Sequence, residues 1–179
     1  MTSAAPREGP IAVVGAAGKL GRKVVSRLGE RGLALDLPEL DIRDAEAVGR
    51  AISNARPASV INCAACTDVD GCESNERLAF ATNADGARHL AEACKAAAAI
   101  LVHIPTDFVF DGTACEPYKP GDAPNPRSIY GCSKLAGELA VQSSGCRHLI
   151  VRTSWLFGEH GDNFVDAILS AAREGPHTG

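Results

Sequence analysis

A doubly wound, parallel α/β sheet is the fold this sequence predicts, and three observations predict it. Short, continuous apolar runs recur along the chain, as in strands covered on both faces. Stretches of helical spacing separate those runs. The first apolar run passes directly into a glycine-rich turn that opens a helix.

The elements follow in order. Ile11-Ala-Val-Val14 is the first strand. Leu20, Val24, Val25 and Leu28 then mark a helix that Gly32 is expected to stop. Leu33 to Asp36 reads as the second strand. Asp44 suits the N-cap of a helix through Val48 and Ile52, closed off by Pro57. Ser59 to Asn62 is the third strand, and one long helix is expected from about Ser74 to Ala99. Ile100 to Ile104 is the fourth strand. A Gly- and Pro-rich loop, Pro105 to Arg127, is long for a connector, a length usual for functional or disordered segments. A helix from Ser128 to about Ser144, a fifth strand from His148 to Arg152 and a helix from Asn163 to Arg173 complete the pattern. Met1 to Pro10 reads as a flexible lead, and residues 11–179 as one Rossmann-type domain.

Composition narrows the function classes. Lys plus Arg number 18 against 22 Asp plus Glu, a net charge of −4. That balance gives no support for a nucleic-acid or anionic-membrane partner. No apolar run reaches a membrane-spanning length and the first ten residues lack a secretory h-region, so a cytoplasmic protein is expected. The seven cysteines include Cys63-Ala-Ala-Cys66 and then Cys72, a spacing that raises a metal or redox site. Nothing completes a tetrahedral zinc set, so Cys63, at the end of an apolar run, reads as a small hydrophobe and the cysteines as structural.

Two motifs carry chemistry. The turn Gly15-Ala16-Ala17-Gly18-Lys19-Leu20-Gly21 spaces its glycines so that backbone can approach a pyrophosphate, with free N–H groups of the next helix aimed at it. Asp36 follows at the spacing where a carboxylate accepts hydrogen bonds from the adenosine ribose. It would repel a 2′-phosphate, although Lys19, Arg22 and Lys23 lie near in sequence, so NADH is expected over NADPH. The second motif is Tyr130-x-x-x-Lys134, four apart on one helix face. An ammonium beside the phenol, and the positive charge of an oxidised nicotinamide, would lower the phenol's pKa towards neutrality and suit it to proton delivery. Lys134 would also hold the nicotinamide ribose. Thr106, at the end of the fourth strand, is placed to hydrogen-bond a substrate carbonyl. Together these point to hydride transfer to or from a sugar-like alcohol.

The chain resembles the dTDP-4-dehydrorhamnose reductases, which are extended short-chain dehydrogenases/reductases. Besides the glycine turn, the resemblance rests on Leu40 to Asp44, Ile61 to Asp70, Thr106-Asp-Phe-Val-Phe-Asp-Gly112, Tyr130 to Glu138 and Arg152-Thr-Ser-Trp-Leu-Phe-Gly158. It implies reduction of the C4 ketone of dTDP-4-dehydro-β-L-rhamnose with NAD(P)H, by a triad of Thr106, Tyr130 and Lys134. It sets Asp41 and Ile42 against the adenine, Cys63, Ala64 and Ala65 along the cofactor groove, and Thr67 and Val69 near its nicotinamide end. Asp107, Phe108 and Trp155 would approach the sugar. Some members need Mg²⁺ at a dimer contact, so a homodimer and Mg²⁺ are among the implied partners. The chain departs from the family's usual residues at Leu37, Cys66, Pro105 and Phe108. The family continues into a further strand and a portion that closes over the sugar, so the 179 residues are expected to bind cofactor but turn over poorly. The regulatory β subunit of methionine adenosyltransferase resembles the same family, which makes a non-catalytic nucleotide-binding subunit the alternative; an epimerase or dehydratase is a third.

Overall fold

The computed structural model describes residues 8–158 and 164–174. Five strands form one parallel sheet: β1 (Ile11–Val14), β2 (Gly32–Leu35), β3 (Ser59–Asn62), β4 (Ile100–His103) and β5 (Arg147–Ile150), in spatial order β2-β1-β3-β4-β5. The helices are α1 (Lys19–Leu28), α2 (Ala45–Ala55), α3 (Val69–Ser74), α4 (Glu76–Phe80), α5 (Gly86–Ala96), α6 (Ile129–Ser143) and α7 (Phe164–Glu174). Asn163, expected to open the last helix, and Met1 to Arg7 of the expected lead lie outside the described residues.

The strand order fixes where helices lie. The β1–β2 connection runs one way along the sheet, while those to β3, β4 and β5 run the other. Right-handed crossovers therefore put α1 on one face and α2, α5 and α6 on the opposite face. The packing agrees: α5 touches α2 and α6, and α1 lies against β1 and β2. The main core sits under the three-helix face, where Ala12, Val14, Val60 and Leu101 meet Val48, Ile52, Leu90 and Val141. The winding of successive connections reverses at β1, between the parallel strands β1 and β3, which opens a crevice beyond their carboxyl ends.

Several boundaries differ from the sequence expectation. Helix α1 ends at Gly29, whose φ of 55° suits a residue without a Cβ, and Gly32 instead begins β2. Asp36 and Ile104 fall just past their strands, and β5 starts and ends earlier than expected. The long helix starts where expected, as α4, runs through a π-helical turn (Ala81–Asp85) into α5 and ends at Ala96; the short α3 ahead of it was not expected. Asn75 separates α3 from α4: its non-helical backbone (φ −139°, ψ 62°) lets its side chain accept from Leu78 N–H and cap α4. Asp44 caps α2 as expected, accepting from the N–H groups of Glu46 and Ala47 at 2.9 and 3.0 Å.

The long loop after β4 is organised by Asp111. Its carboxylate accepts from the Tyr118 hydroxyl (2.7 Å), Thr113 N–H and hydroxyl, and the Asn125 amide (2.8 Å). These bonds, led by Tyr118, hold the Asp111 pKa well below the usual carboxylate range. Among the cysteines, Cys72, Cys94 and Cys146 are buried, Cys63, Cys66 and Cys132 are half-buried, and Cys115 is exposed.

Candidate active site

The crevice begins as a backbone surface. Gly15 has φ 77°, and a Cβ there would stand 2.5 Å from the Ala64 backbone nitrogen. Only glycine lets the turn after β1 touch the loop after β3 this closely. Gly21 meets the same turn from inside α1, where a Cβ would run into the Gly15 carbonyl; it and Ala16 serve packing rather than lining the groove. The Asn62 side chain sets the other lip, accepting from Ala64 N–H at 3.1 Å.

A cavity of about 480 Å³ lies over this surface, walled by Ala17, Asp36, Leu37, Asp41, Ile42 and Arg43. Asp36 has a task the sequence did not announce: its carboxylate accepts from Ala17 N–H in the glycine turn and from Leu37 N–H at 2.8 Å. Asp41 is held by Arg43, through Nε at 2.9 Å, and that bond lowers its pKa. Arg43 itself was not expected on this wall.

A second cavity of about 580 Å³ continues the crevice. It shares Gly18, Cys63 and Ala65 with the first, so the two form one groove across the switch point. Lys19 and Leu20 line this half, with Thr67 and Val69 beyond them. Thr106, Tyr130 and Lys134 converge here, with Asp107, Phe108 and Trp155 around them. Every residue expected to contact a ligand, Gly21 apart, therefore borders one groove.

The three convergent side chains come from two elements. Thr106 follows β4, and its hydroxyl donates to the Asp107 carboxylate (3.0 Å) and accepts from Phe108 N–H (3.2 Å). Pro105 removes one backbone donor, yet the strand direction persists: Thr106 bridges Thr153, and Asp107 N–H donates to the Thr153 carbonyl at 3.1 Å. Tyr130 and Lys134 stand on α6, which is capped by Ser128 (3.0 Å to Gly131 N–H) and anchored by Glu73, which accepts from Ile129 N–H at 2.7 Å. Phe108 meets the Tyr130 ring edge-on, 5.5 Å between centroids.

The electrostatics differ from the sequence expectation. The Tyr130 pKa is raised, chiefly by burial, with a hydrogen bond from Thr106 opposing. Lys134 is not among the groups that lower it; its ammonium donates to the Ile104 carbonyl at 2.9 Å. Burial lowers Lys134 itself to about 8, against the nearby Glu138 carboxylate. The structure's own groups thus favour a protonated phenol, the form that gives a proton away.

Sequence reasoning missed the parts that hold these side chains. Asn83, in the π-helical turn, accepts from Cys66 N–H (2.9 Å) and donates to the Cys66 carbonyl and the Ser133 hydroxyl (3.0 Å each). Ser133 in turn donates to the Tyr130 carbonyl at 2.8 Å. One buried amide thereby ties the loop after β3 to the helix of Tyr130. Glu138, fully buried, takes a two-pronged bond from Arg152 at 2.8 and 2.7 Å. The Asn62 amide donates to His103 Nδ1 at 3.1 Å, leaving His103 Nε2 buried without a partner among the described residues. Burial, then the Lys134 charge, pushes the His103 pKa down to about 3. An i, i+3 or i+4 spacing on α6 hints at Ser133 and Glu138; nothing local in sequence hints at Asn83.

With that geometry in hand, comparison with known proteins is direct. A family model described as "RmlD substrate binding domain" matches residues 9–178. The chain is 48% identical over 157 residues to the dTDP-4-dehydrorhamnose reductase of Streptomyces griseus, covering 86% of this chain and 52% of the relative. The chain belongs to the dTDP-4-dehydrorhamnose reductase family. The Mycobacterium tuberculosis reductase is 43% identical over 169 residues, with 90% of this chain and 55% of the relative covered. A Bacillus anthracis dTDP-4-dehydrorhamnose reductase solved in complex with NADP superposes with a TM-score of 0.89 at 38% identity, covering 94% of this chain and 61% of that one. The chain thus spans about half the length of the curated family members it matches. Among the described residues no helix is long and apolar enough to cross a membrane, and no group of three or more His, Cys, Asp or Glu side chains is placed to hold a metal ion.

Proposed function

We propose that the protein takes part in dTDP-rhamnose synthesis, reducing the C4 ketone of dTDP-4-dehydro-β-L-rhamnose with a nicotinamide cofactor. One observation carries the reading: the groove runs unbroken from a glycine turn suited to a pyrophosphate to a buried cluster of Thr106, Tyr130 and Lys134. The groove suits a dinucleotide, since the Gly15–Ala64 contact leaves no Cβ in the way and Asp36 stands where a ribose would lie. The nicotinamide supplies hydride when bound.

The chain's own residues supply the rest. Gly18 and the N-terminus of α1 hold the pyrophosphate. Lys134 holds the nicotinamide ribose. Thr106 polarises the ketone oxygen, and Tyr130, protonated at neutral pH, delivers its phenolic proton to that oxygen. Asp107, Phe108 and Trp155 shape the space for the sugar. NADH is favoured over NADPH, because Asp36 and Asp41 put two carboxylates on the adenosine wall; Arg43 is the neighbouring cation, and it is already paired with Asp41. A homodimer belongs to the same proposal; no group of three or more His, Cys, Asp or Glu side chains among the described residues is placed to hold the Mg²⁺ that the resemblance implies.

The decisive experiment assays the protein carrying this sequence with dTDP-4-dehydrorhamnose and each cofactor, beside Tyr130→Phe. The variant is expected to lose about 10²–10⁴-fold in turnover while cofactor affinity stays within about twofold. Unchanged turnover removes Tyr130 as proton donor, and a lower KM for NADPH than for NADH reverses the cofactor preference.

A further inference from the structure

The Cys66 and Cys72 sulfurs lie 3.6 Å apart. Cys66 is half-buried on the wall of the adenosine cavity, and Cys72 is fully buried in α3. Both belong to the small apolar cluster that packs around Tyr130, with Ala79, Val69 and Ile129. Cys66 is also the residue whose backbone N–H and carbonyl are both gripped by Asn83. Two thiols therefore touch at the joint between the groove wall and the seat of Tyr130. No third metal-binding side chain joins them among the described residues, so the pair is a dithiol rather than part of a metal centre.

We propose that Cys66 and Cys72 are a reversible thiol-modification site, oxidised to an intramolecular disulfide by small-molecule disulfides of the glutathione type. Cys66, reached from the groove, attacks one sulfur of the oxidant as its thiolate; a mixed disulfide forms and one glutathione thiolate leaves. Cys72 then loses its proton and attacks the Cys66 sulfur, which expels the second glutathione thiolate. The protein loses two electrons and two protons, and one disulfide becomes two glutathione thiols. A disulfide needs sulfurs about 2.05 Å apart, so the pair closes by roughly 1.5 Å. Burial pushes the Cys72 thiol up, so the second step is slow at neutral pH and quickens as pH rises. Closure draws α3 towards the loop after β3, and Tyr130 packs in the same cluster. On the functional reading above, the oxidised form reduces its substrate more slowly.

Peptide mapping tests the bond without relying on that reading. The purified protein is incubated with glutathione disulfide, its remaining thiols are alkylated, and it is cut before aspartate; Asp68 and Asp70 both lie between the two cysteines. The expected product is the Cys66 peptide joined to the Cys72 peptide, lost on dithiothreitol treatment and absent from Cys72→Ala and Cys66→Ser. Recovery of both cysteines alkylated, of Cys66 joined only to glutathione, or of Cys66 joined to another cysteine overturns the proposal. Turnover of the oxidised wild type is expected to fall at least about fivefold and recover on reduction. A formed disulfide with undiminished turnover overturns the coupling to Tyr130, whereas absence of turnover in both redox forms counts against the functional reading and leaves the mapping to decide the bond.

Discussion

The two ends of the groove are built on opposite plans. The glycine-turn end is a backbone surface, in which Gly15, free to adopt a positive φ, lets one turn rest against the loop of a neighbouring strand. The Tyr130 end is a side-chain assembly, in which residues from the end of β4, from α3 and from α6 are held by buried amide and hydroxyl bonds. The first plan depends on the absence of atoms at one or two positions. The second depends on many polar groups finding each other, and it places a buried ammonium beside a buried phenol. A change at the first end should act as a steric fault. A change at the second should act through protonation and through unsatisfied polar groups.

The largest effect that would sharpen this contrast is Gly15→Ala. The added methyl meets Ala64 backbone at 2.5 Å and is placed on a φ of 77°. We expect a loss of about 3–4 kcal/mol in stability, constant with pH and measured by urea unfolding. A loss under about 1 kcal/mol would mean that the two loops separate readily, and the contrast would weaken.

Lys134→Met is next, and its signature is a pH dependence. The Lys134 pKa is lowered on folding to about 8, so between there and the ordinary lysine value near ~10.4 the unfolded chain binds more protons than the folded one. Stability therefore rises with pH across that window, as the cost of the buried charge disappears. Wild-type stability relative to Lys134→Met should climb by about 3 kcal/mol between pH 8 and pH 10.5. A flat difference would show that Lys134 is not held as a charge in an apolar setting.

The smallest is Asn83→Ala. It removes the bridge between Cys66 and Ser133 and should cost about 2 kcal/mol, with the loop after β3 exchanging its amide protons faster than the rest of the sheet. Uniform exchange would mean that the two ends are not joined through this residue.

Legibility in the sequence follows the same division. The glycine turn, its strand and its helix occupy adjacent residues, so spacing alone located Gly15, Gly18 and Asp36. The Tyr130–Lys134 pair was equally readable, as an i, i+4 face of one helix. Their electrostatics were not. Proximity in sequence suggested that the ammonium would acidify the phenol, but burial dominates the phenol and raises its pKa. Helix α3 escaped the sequence reading because its 6 residues are too few to show a helical period.

What the sequence by itself determined is therefore local and periodic: five apolar runs, the turn that opens α1, and two side chains one helical turn apart. What the tertiary structure decided is everything that needs partners far apart in the chain. The Asn83–Ser133 bridge spans 50 residues, Lys134 reaches back 30 to Ile104, and Arg152 reaches back 14 to Glu138. The physical reason is that a backbone turn is fixed by the sterics of its own residues, whereas the charge and bonding of a buried side chain are fixed by whatever folding brings against it.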